Sequence, residues 1–198
     1  MLLWGDSGVG KTTLALKFPN PVIIDLEKGA PETADVLQTT SIAEVTKAIQ
    51  WLRQGNHNYE TLIIDPITLY YKKLQQDMEA KLSEDFTPRD WGKLKKFFYQ
   101  FIAWVLELDM NLVLIAREKI KYAKHGFMIP DGVTYDVEEG LKYWVDVCAQ
   151  LTRKKEKGKY KRYAFCDTKT RHKNIEENKL YELDEFENVL LKGLQNEI

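Results

Sequence analysis

Eight residues near the amino end have the types and spacing to hold a polyphosphate. Gly5-Asp6-Ser7-Gly8-Val9-Gly10-Lys11-Thr12 fills the pattern Gly, four residues, Gly-Lys, then Ser or Thr. Gly5, Gly8 and Gly10 let the backbone take positive φ, so that successive amide N–H groups turn inward around an anion. Lys11 supplies an ammonium for the outer phosphates, and the Thr12 hydroxyl is a ligand for Mg²⁺. The apolar run Met1-Leu2-Leu3-Trp4 predicts a strand entering the loop, and Lys11 to Phe18 predicts a helix leaving it. Phosphates lying across Gly8 to Thr13 then sit on a helix N-terminus, where unsatisfied N–H groups and the helix dipole favour negative charge.

Further candidates lie at the ends of apolar strands. Asp65 closes Leu62-Ile63-Ile64-Asp65 and is a candidate Mg²⁺ ligand beside Thr12. Asp25 and Glu27 follow Ile23-Ile24, and residues two apart on a strand face the same way. Both carboxylates are therefore expected to address one site, with Glu27 orienting the attacking water and Asp25 in support. Arg117 follows a fourth apolar strand, placed to sense the outermost phosphate or to link the nucleotide to the long loop behind it. Lys169 and Arg171, two apart, are suited to present cations to a neighbouring subunit's nucleotide.

The elements that position these groups alternate strand and helix. Pro19-Asn20-Pro21 ends the first helix, and Val22 to Leu26 predicts a second strand. Ser41 and Glu44 read as a capping box for a helix to about Arg53, with Ile42, Val45, Ile49 and Leu52 on one face. Thr61 to Asp65 is a third strand, followed by a helix to about Leu82. Thr87-Pro88 opens a long helix whose apolar stripe is Leu94, Phe97, Phe98, Phe101, Ile102, Val105 and Leu106. Asn111 to Ala116 is the fourth strand. Short, uniformly apolar strands between helices indicate an α/β fold, a mostly parallel sheet flanked by helices. Glu118 to Gly140 is polar and reads as a long loop. Leu141 to Val147 reads as a short helix or a lead-in strand. Cys148 to Lys155 and Tyr160 to Asp167 predict a C-terminal antiparallel hairpin. Residues 1–173 form the expected core. Residues 174–198 form an acidic tail, helical from Asp184 to Gln195.

The chain has 198 residues and a net charge of −1, and that near-neutrality hides a local excess. Leu151 to Lys173 holds ten basic and two acidic residues, a block of +8 against −9 elsewhere. Seven of these cations lie between Arg153 and Arg162, with Tyr160 and Tyr163 among or beside them. Clustered Lys and Arg with aromatics suit a single-stranded nucleic acid. Lys119, Lys121, Tyr122, Lys124, His125 and Phe127 repeat that character. Cys148 and Cys166 lie in no metal-ligand spacing and read as reduced thiols. The apolar stretches are too short for a membrane span and the chain enters a strand without a leader, so a cytoplasmic protein is expected.

Together these residues resemble a RecA-type P-loop NTPase core, from the phosphate loop, Ile24-Asp25-Leu26-Glu27 and Leu62 to Asp65. The chain is similar to phage-encoded AAA-type nucleotide-binding proteins, including the Sak-four single-strand annealing proteins. Phe18-Pro19-Asn20-Pro21, Asp90-Trp91-Gly92, Leu114 to Lys119 and Tyr143-Trp144-Val145-Asp146 carry this second likeness. The resemblance extends from residue 1 to about 173. It implies binding of ATP and Mg²⁺, a catalytic role for Glu27, and work on single-stranded DNA in phage recombination or replication in a bacterial host. A homo-oligomer, ring or filament, and a single-strand-binding protein are the expected partners. Two other functions fit the loop: a nucleotide-gated module with negligible hydrolysis that recruits replication proteins, and a phosphotransferase. The second wants an arginine-rich lid, and the lysine-dominated hairpin offers only Arg153 and Arg162.

Overall fold

The computed structural model describes residues 1–82, 85–123, 129–166 and 170–195. In chain order its elements are β1 (Leu2–Gly5), α1 (Lys11–Ala15), β2 (Pro21–Asp25), β3 (Asp35–Gln38), α2 (Ile42–Arg53), β4 (Thr61–Asp65), α3 (Ile67–Glu79), α4 (Pro88–Leu106), β5 (Asn111–Tyr122), β6 (Pro130–Tyr135), a 3-10 segment (Glu139–Trp144), β7 (Cys148–Glu156), β8 (Lys159–Cys166), β9 (Lys179–Glu182) and α5 (Leu183–Gln195). They form two compact units, one of Leu16–Leu114 and one of Met1–Ala15 with Ile115–Ile198.

In the first of these, β2 pairs in parallel with β3 and β4, and β4 with the start of β5. Ile23, Ile24, Leu62, Ile63 and Ile64 are at most 1% exposed. Apolarity on both strand faces is what a parallel sheet under helices demands. Strand β3 is an addition to the sequence reading; its residues Asp35 and Gln38 are exposed, so no apolar run marks it.

Helix α2 is capped as expected by Ser41, whose hydroxyl accepts the Glu44 N–H at 3.4 Å. The box is only half formed. The Glu44 carboxylate takes the Thr39 hydroxyl, and the Ser41 N–H donates to the same Thr39 oxygen at 3.0 Å. Helix α4 has the full reciprocal box, the Asp90 carboxylate accepting from the Thr87 N–H at 3.3 Å and hydroxyl at 2.5 Å. Its buried stripe is Leu94, Phe98, Phe101, Ile102 and Val105; Phe97 and Leu106 fall outside it and are exposed. No helix among the described residues is long and apolar enough to cross a membrane.

In the other unit, β1 pairs in parallel with β7. Strands β7 and β8 form the expected antiparallel hairpin, turning at Lys157-Gly158 with φ +48° and +82°. The expected loop from Glu118 is instead a ribbon. Strand β5 runs on to Tyr122, and β6 pairs antiparallel with it, Glu118 opposite Tyr135 and Ile120 opposite Val133. Ile120 and Val133 are 53% and 41% exposed, so pairing, not burial, maintains this ribbon, and a search for apolar runs misses it. The tail helix forms as read, Leu183–Gln195. Before it, β9 adds a strand to β8, and Tyr181, Phe186 and Leu190 are buried.

Candidate nucleotide-binding site

Strand β1 delivers the loop. At Gly5 φ is +140°, and a Cβ there would stand 2.2 Å from the Leu151 carbonyl oxygen of β7. Only glycine leaves the strand so close to its neighbour. Gly8 and Gly10 have φ of +72° and +100°, the positive values expected for amides turned toward an anion. Val9 is 2% exposed, so the middle of the loop is buried, while Asp6, Ser7 and Gly8 are exposed. The Asp6 carboxylate accepts the Ser7 N–H at 2.7 Å. Lys11 Nζ donates to the carbonyls of Gly5 and Asp6 at 2.9 and 2.7 Å, which arches its side chain back along the loop. Thr12 and Thr13 lie in the first turn of α1, and the Leu14 N–H bonds the Gly10 carbonyl at 2.9 Å.

Two residues outside the sequence-predicted loop join it. Arg153 Nη1 lies 3.7 Å from where a Gly8 Cβ would be, and Arg162 Cδ and Nη1 lie 3.6 and 3.7 Å from that point at Gly10. By sequence alone both arginines belong to a hairpin suited to nucleic acid. The missing signal was hairpin register: counted outward from Lys157-Gly158, Arg153 stands opposite Arg162.

The acids belong to the Leu16–Leu114 unit. Asp25 and Asp65 are register partners at the carboxyl ends of parallel strands β2 and β4, and are 1% and 8% exposed. Ligand-binding groups in open α/β sheets collect at this edge. The Leu26 N–H donates to the Asp65 carbonyl at 2.8 Å. Glu27 departs from the expectation that it shares a strand face with Asp25. The strand ends at Asp25, and its carboxylate accepts the N–H groups of Glu27 at 2.9 Å and Ala30 at 3.0 Å. Asp25 is thus a brace for the loop carrying Glu27, whose own side chain is exposed.

Two of the remaining candidates, Arg117 and Arg171, lie among the described residues. Arg117 does not follow a strand but sits within β5, exposed, its carbonyl accepting the Asp136 N–H at 2.7 Å. Arg171 is held in its own chain, donating to the Asp146 carboxylate at 3.3 Å and the Tyr143 carbonyl at 3.0 Å. Lys169, like Lys124, His125 and Phe127, lies outside the described residues. Among the described residues no three of His, Cys, Asp and Glu gather to hold a metal ion.

Comparison with known proteins bears on the family and the fold. The model of the AAA domain family matches residues 1–180. No curated protein matches the sequence. Among solved structures, a KaiC-like protein from the hyperthermophilic archaeon Pyrococcus horikoshii OT3 is similar, with a TM-score of 0.56 at 17% identity over 91% of this chain and 82% of that one. At that identity the likeness is one of fold, a KaiC/RecA-like α/β arrangement. By the family match over most of its length, and with a complete phosphate loop delivered by its first strand, the chain belongs to the AAA domain family, as a nucleotide-binding P-loop ATPase domain.

Proposed function

We propose that this protein is a Mg²⁺-dependent ATPase of RecA-like type that acts on single-stranded DNA in phage recombination or replication, as a homo-oligomer. The observation that carries the reading is the glycine loop, whose positive φ values and arched Lys11 provide the donors that a triphosphate requires. Thr12 and Asp65 would hold the metal, which when bound offsets charge on the outer phosphates. The Glu27 carboxylate accepts a proton from, and orients, the attacking water; Asp25 fixes its loop through two backbone hydrogen bonds. Lys11 follows charge onto the outermost phosphate oxygen, and Arg117 senses that phosphate. Lys169 and Arg171 act on a neighbouring subunit's nucleotide, for which Arg171 exchanges its contact with Asp146.

Single-stranded DNA is assigned to exposed cations of the hairpin and of the β5–β6 ribbon, where Lys119, Lys121 and Tyr122 are exposed. Phosphate contacts make such binding steeply salt-dependent. The decisive experiment is ATP turnover with and without single-stranded DNA, in the full chain and in Lys11→Ala and Glu27→Gln. Stimulation by DNA, loss of at least about a hundredfold in either variant, and retained nucleotide binding in Glu27→Gln are expected. Nucleotide binding with no turnover in the unaltered chain would replace the ATPase with a nucleotide-gated module.

A further inference from the structure

We propose that Arg153 and Arg162 are nucleotide-binding residues in cis, clamping the polyphosphate from the hairpin side of the loop. The inference rests on the phosphate-loop reading and deepens it. Both guanidinium-bearing side chains stand against the loop, Arg153 at Gly8 and Arg162 at Gly10, with heavy atoms 3.6–3.7 Å from the point a Cβ would occupy. At Gly8, Arg153 Nη1 is, apart from the adjoining loop residues, the sole atom within 4 Å of that point among the described residues.

The register divides the basic hairpin into two unlike faces. Residues directly opposite in an antiparallel pair share a face. One face therefore carries Arg153 with Arg162 and Lys155 with Tyr160; the other carries Lys154 with Lys161, Glu156 with Lys159 and Thr152 with Tyr163. The second face is internally compensated: Lys161 pairs with Glu182 at 2.8 Å, and the Tyr163 hydroxyl donates to Glu156 at 2.6 Å. On the loop-side face, no carboxylate within 4 Å engages Arg153, Lys155 or Arg162 among the described residues. Arg153 instead lies over the Tyr160 ring, 5.4 Å from its centroid.

Two like charges directly opposite on a sheet are destabilising. An anion bound between them removes the repulsion, and the adjoining loop is built to bring one. Residue type points the same way. The hairpin's other five cations are lysines, and its only two arginines are the pair beside the loop. A planar guanidinium bonds phosphate oxygens with two parallel N–H groups, which an ammonium does not. The ligand class is a nucleoside di- or triphosphate. The hairpin is thereby split by function, its Arg153–Arg162 pair to nucleotide and its lysines left for nucleic acid.

The test is equilibrium binding of fluorescent N-methylanthraniloyl ATP, ADP and AMP to the full chain, beside a labelled single-stranded oligonucleotide. Arg153→Ala and Arg162→Ala should each weaken ATP and ADP binding about ten- to a hundredfold, with Arg→Lys intermediate, and should alter oligonucleotide affinity far less. Arg153→Gln and Arg162→Gln carry the test if thermal melting shows an alanine variant misfolded. Lys11→Ala separates the two levels. Weakened binding in Lys11→Ala with both arginine variants within about twofold of the parent overturns the clamp and leaves the loop reading standing. Normal binding in Lys11→Ala overturns the loop reading itself. Loss of oligonucleotide binding with unchanged nucleotide affinity also overturns the clamp, returning the arginines to DNA.

Discussion

Replacing Gly5 with alanine tests how the phosphate loop is fixed to the sheet. The added methyl would stand 2.2 Å from the Leu151 carbonyl oxygen, where real Cβ contacts do not fall below 3.0 Å, so β1 and β7 must separate by at least about 0.8 Å. The obstacle is backbone in a paired strand, Trp4 being in register with Gln150, so no side-chain rotation relieves it. Overpacking of this kind costs about 1–3 kcal/mol. Holding alanine at φ +140° costs about 1–3 kcal/mol more. A combined loss of roughly 2–6 kcal/mol is a large share of the roughly 5–15 kcal/mol that stabilises a typical domain. It corresponds to a fall in melting temperature of about 4–24 °C for a chain of this size. Gly8→Ala is the internal comparison. It also has positive φ, but beyond the adjoining loop residues its methyl meets Arg153 Nη1 alone among the described residues, at an ordinary 3.7 Å. It should cost about 1–2 kcal/mol and act mainly on nucleotide affinity. Urea unfolding followed by circular dichroism measures both. A Gly5→Ala variant no less stable than Gly8→Ala would refute the steric reasoning.

Asp25→Asn should lower stability by about 1–3 kcal/mol, because an amide cannot accept both the Glu27 and Ala30 N–H groups in a buried site. Under the proposed mechanism kcat falls with little change in nucleotide affinity; an unchanged kcat would remove Asp25 from the positioning of Glu27. Phe186→Ala, at a side chain with 0% exposure, should cost about 3–5 kcal/mol in urea unfolding. A loss under about 1 kcal/mol would mean that the C-terminal helix adds little to the core. The Lys93 ammonium, with the Thr87 hydroxyl, holds the Asp90 carboxyl down to about 2 from an ordinary 3.8. Its folded value lies below the unfolded one, so the stability it confers is full above about pH 4 and is lost as pH falls toward 2. Asp90→Asn should therefore be less stable than the parent at pH 7, and the gap should close between pH 4 and 2; a gap constant over that range would contradict the capping role.

Much of the fold was legible because its signals are local. Runs such as Leu62-Ile63-Ile64 announce strands buried on both faces, and Thr87-Pro88 with Asp90 announces a helix start. Where burial does not enforce a strand, the sequence was mute. The β5–β6 ribbon is held by backbone pairing between exposed side chains, so its polar residues read as a loop. Strand β9 was hidden by the acidic composition around it, although Tyr181 and Phe186 lie in the core. Among the site residues, Asp25 shows the limit of periodicity. The alternation of a strand predicts where a carboxylate points only while the strand lasts, and this one ends at Asp25 itself.

The amino-acid sequence by itself determined the phosphate loop, since Gly5, Gly8 and Gly10 permit backbone angles that other residues resist, and eight consecutive positions suffice to specify the cradle. It also determined the acids at the ends of β2 and β4, because an apolar run that stops at a carboxylate marks a strand's exit from the core. Tertiary structure alone decided what the basic hairpin faces. Strand pairing puts Arg153 opposite Arg162, and the parallel union of β1 with β7 carries that pair to Gly8 and Gly10, about 150 residues away along the chain. Composition counts charges without regard to side; the register of a sheet assigns each one to a face.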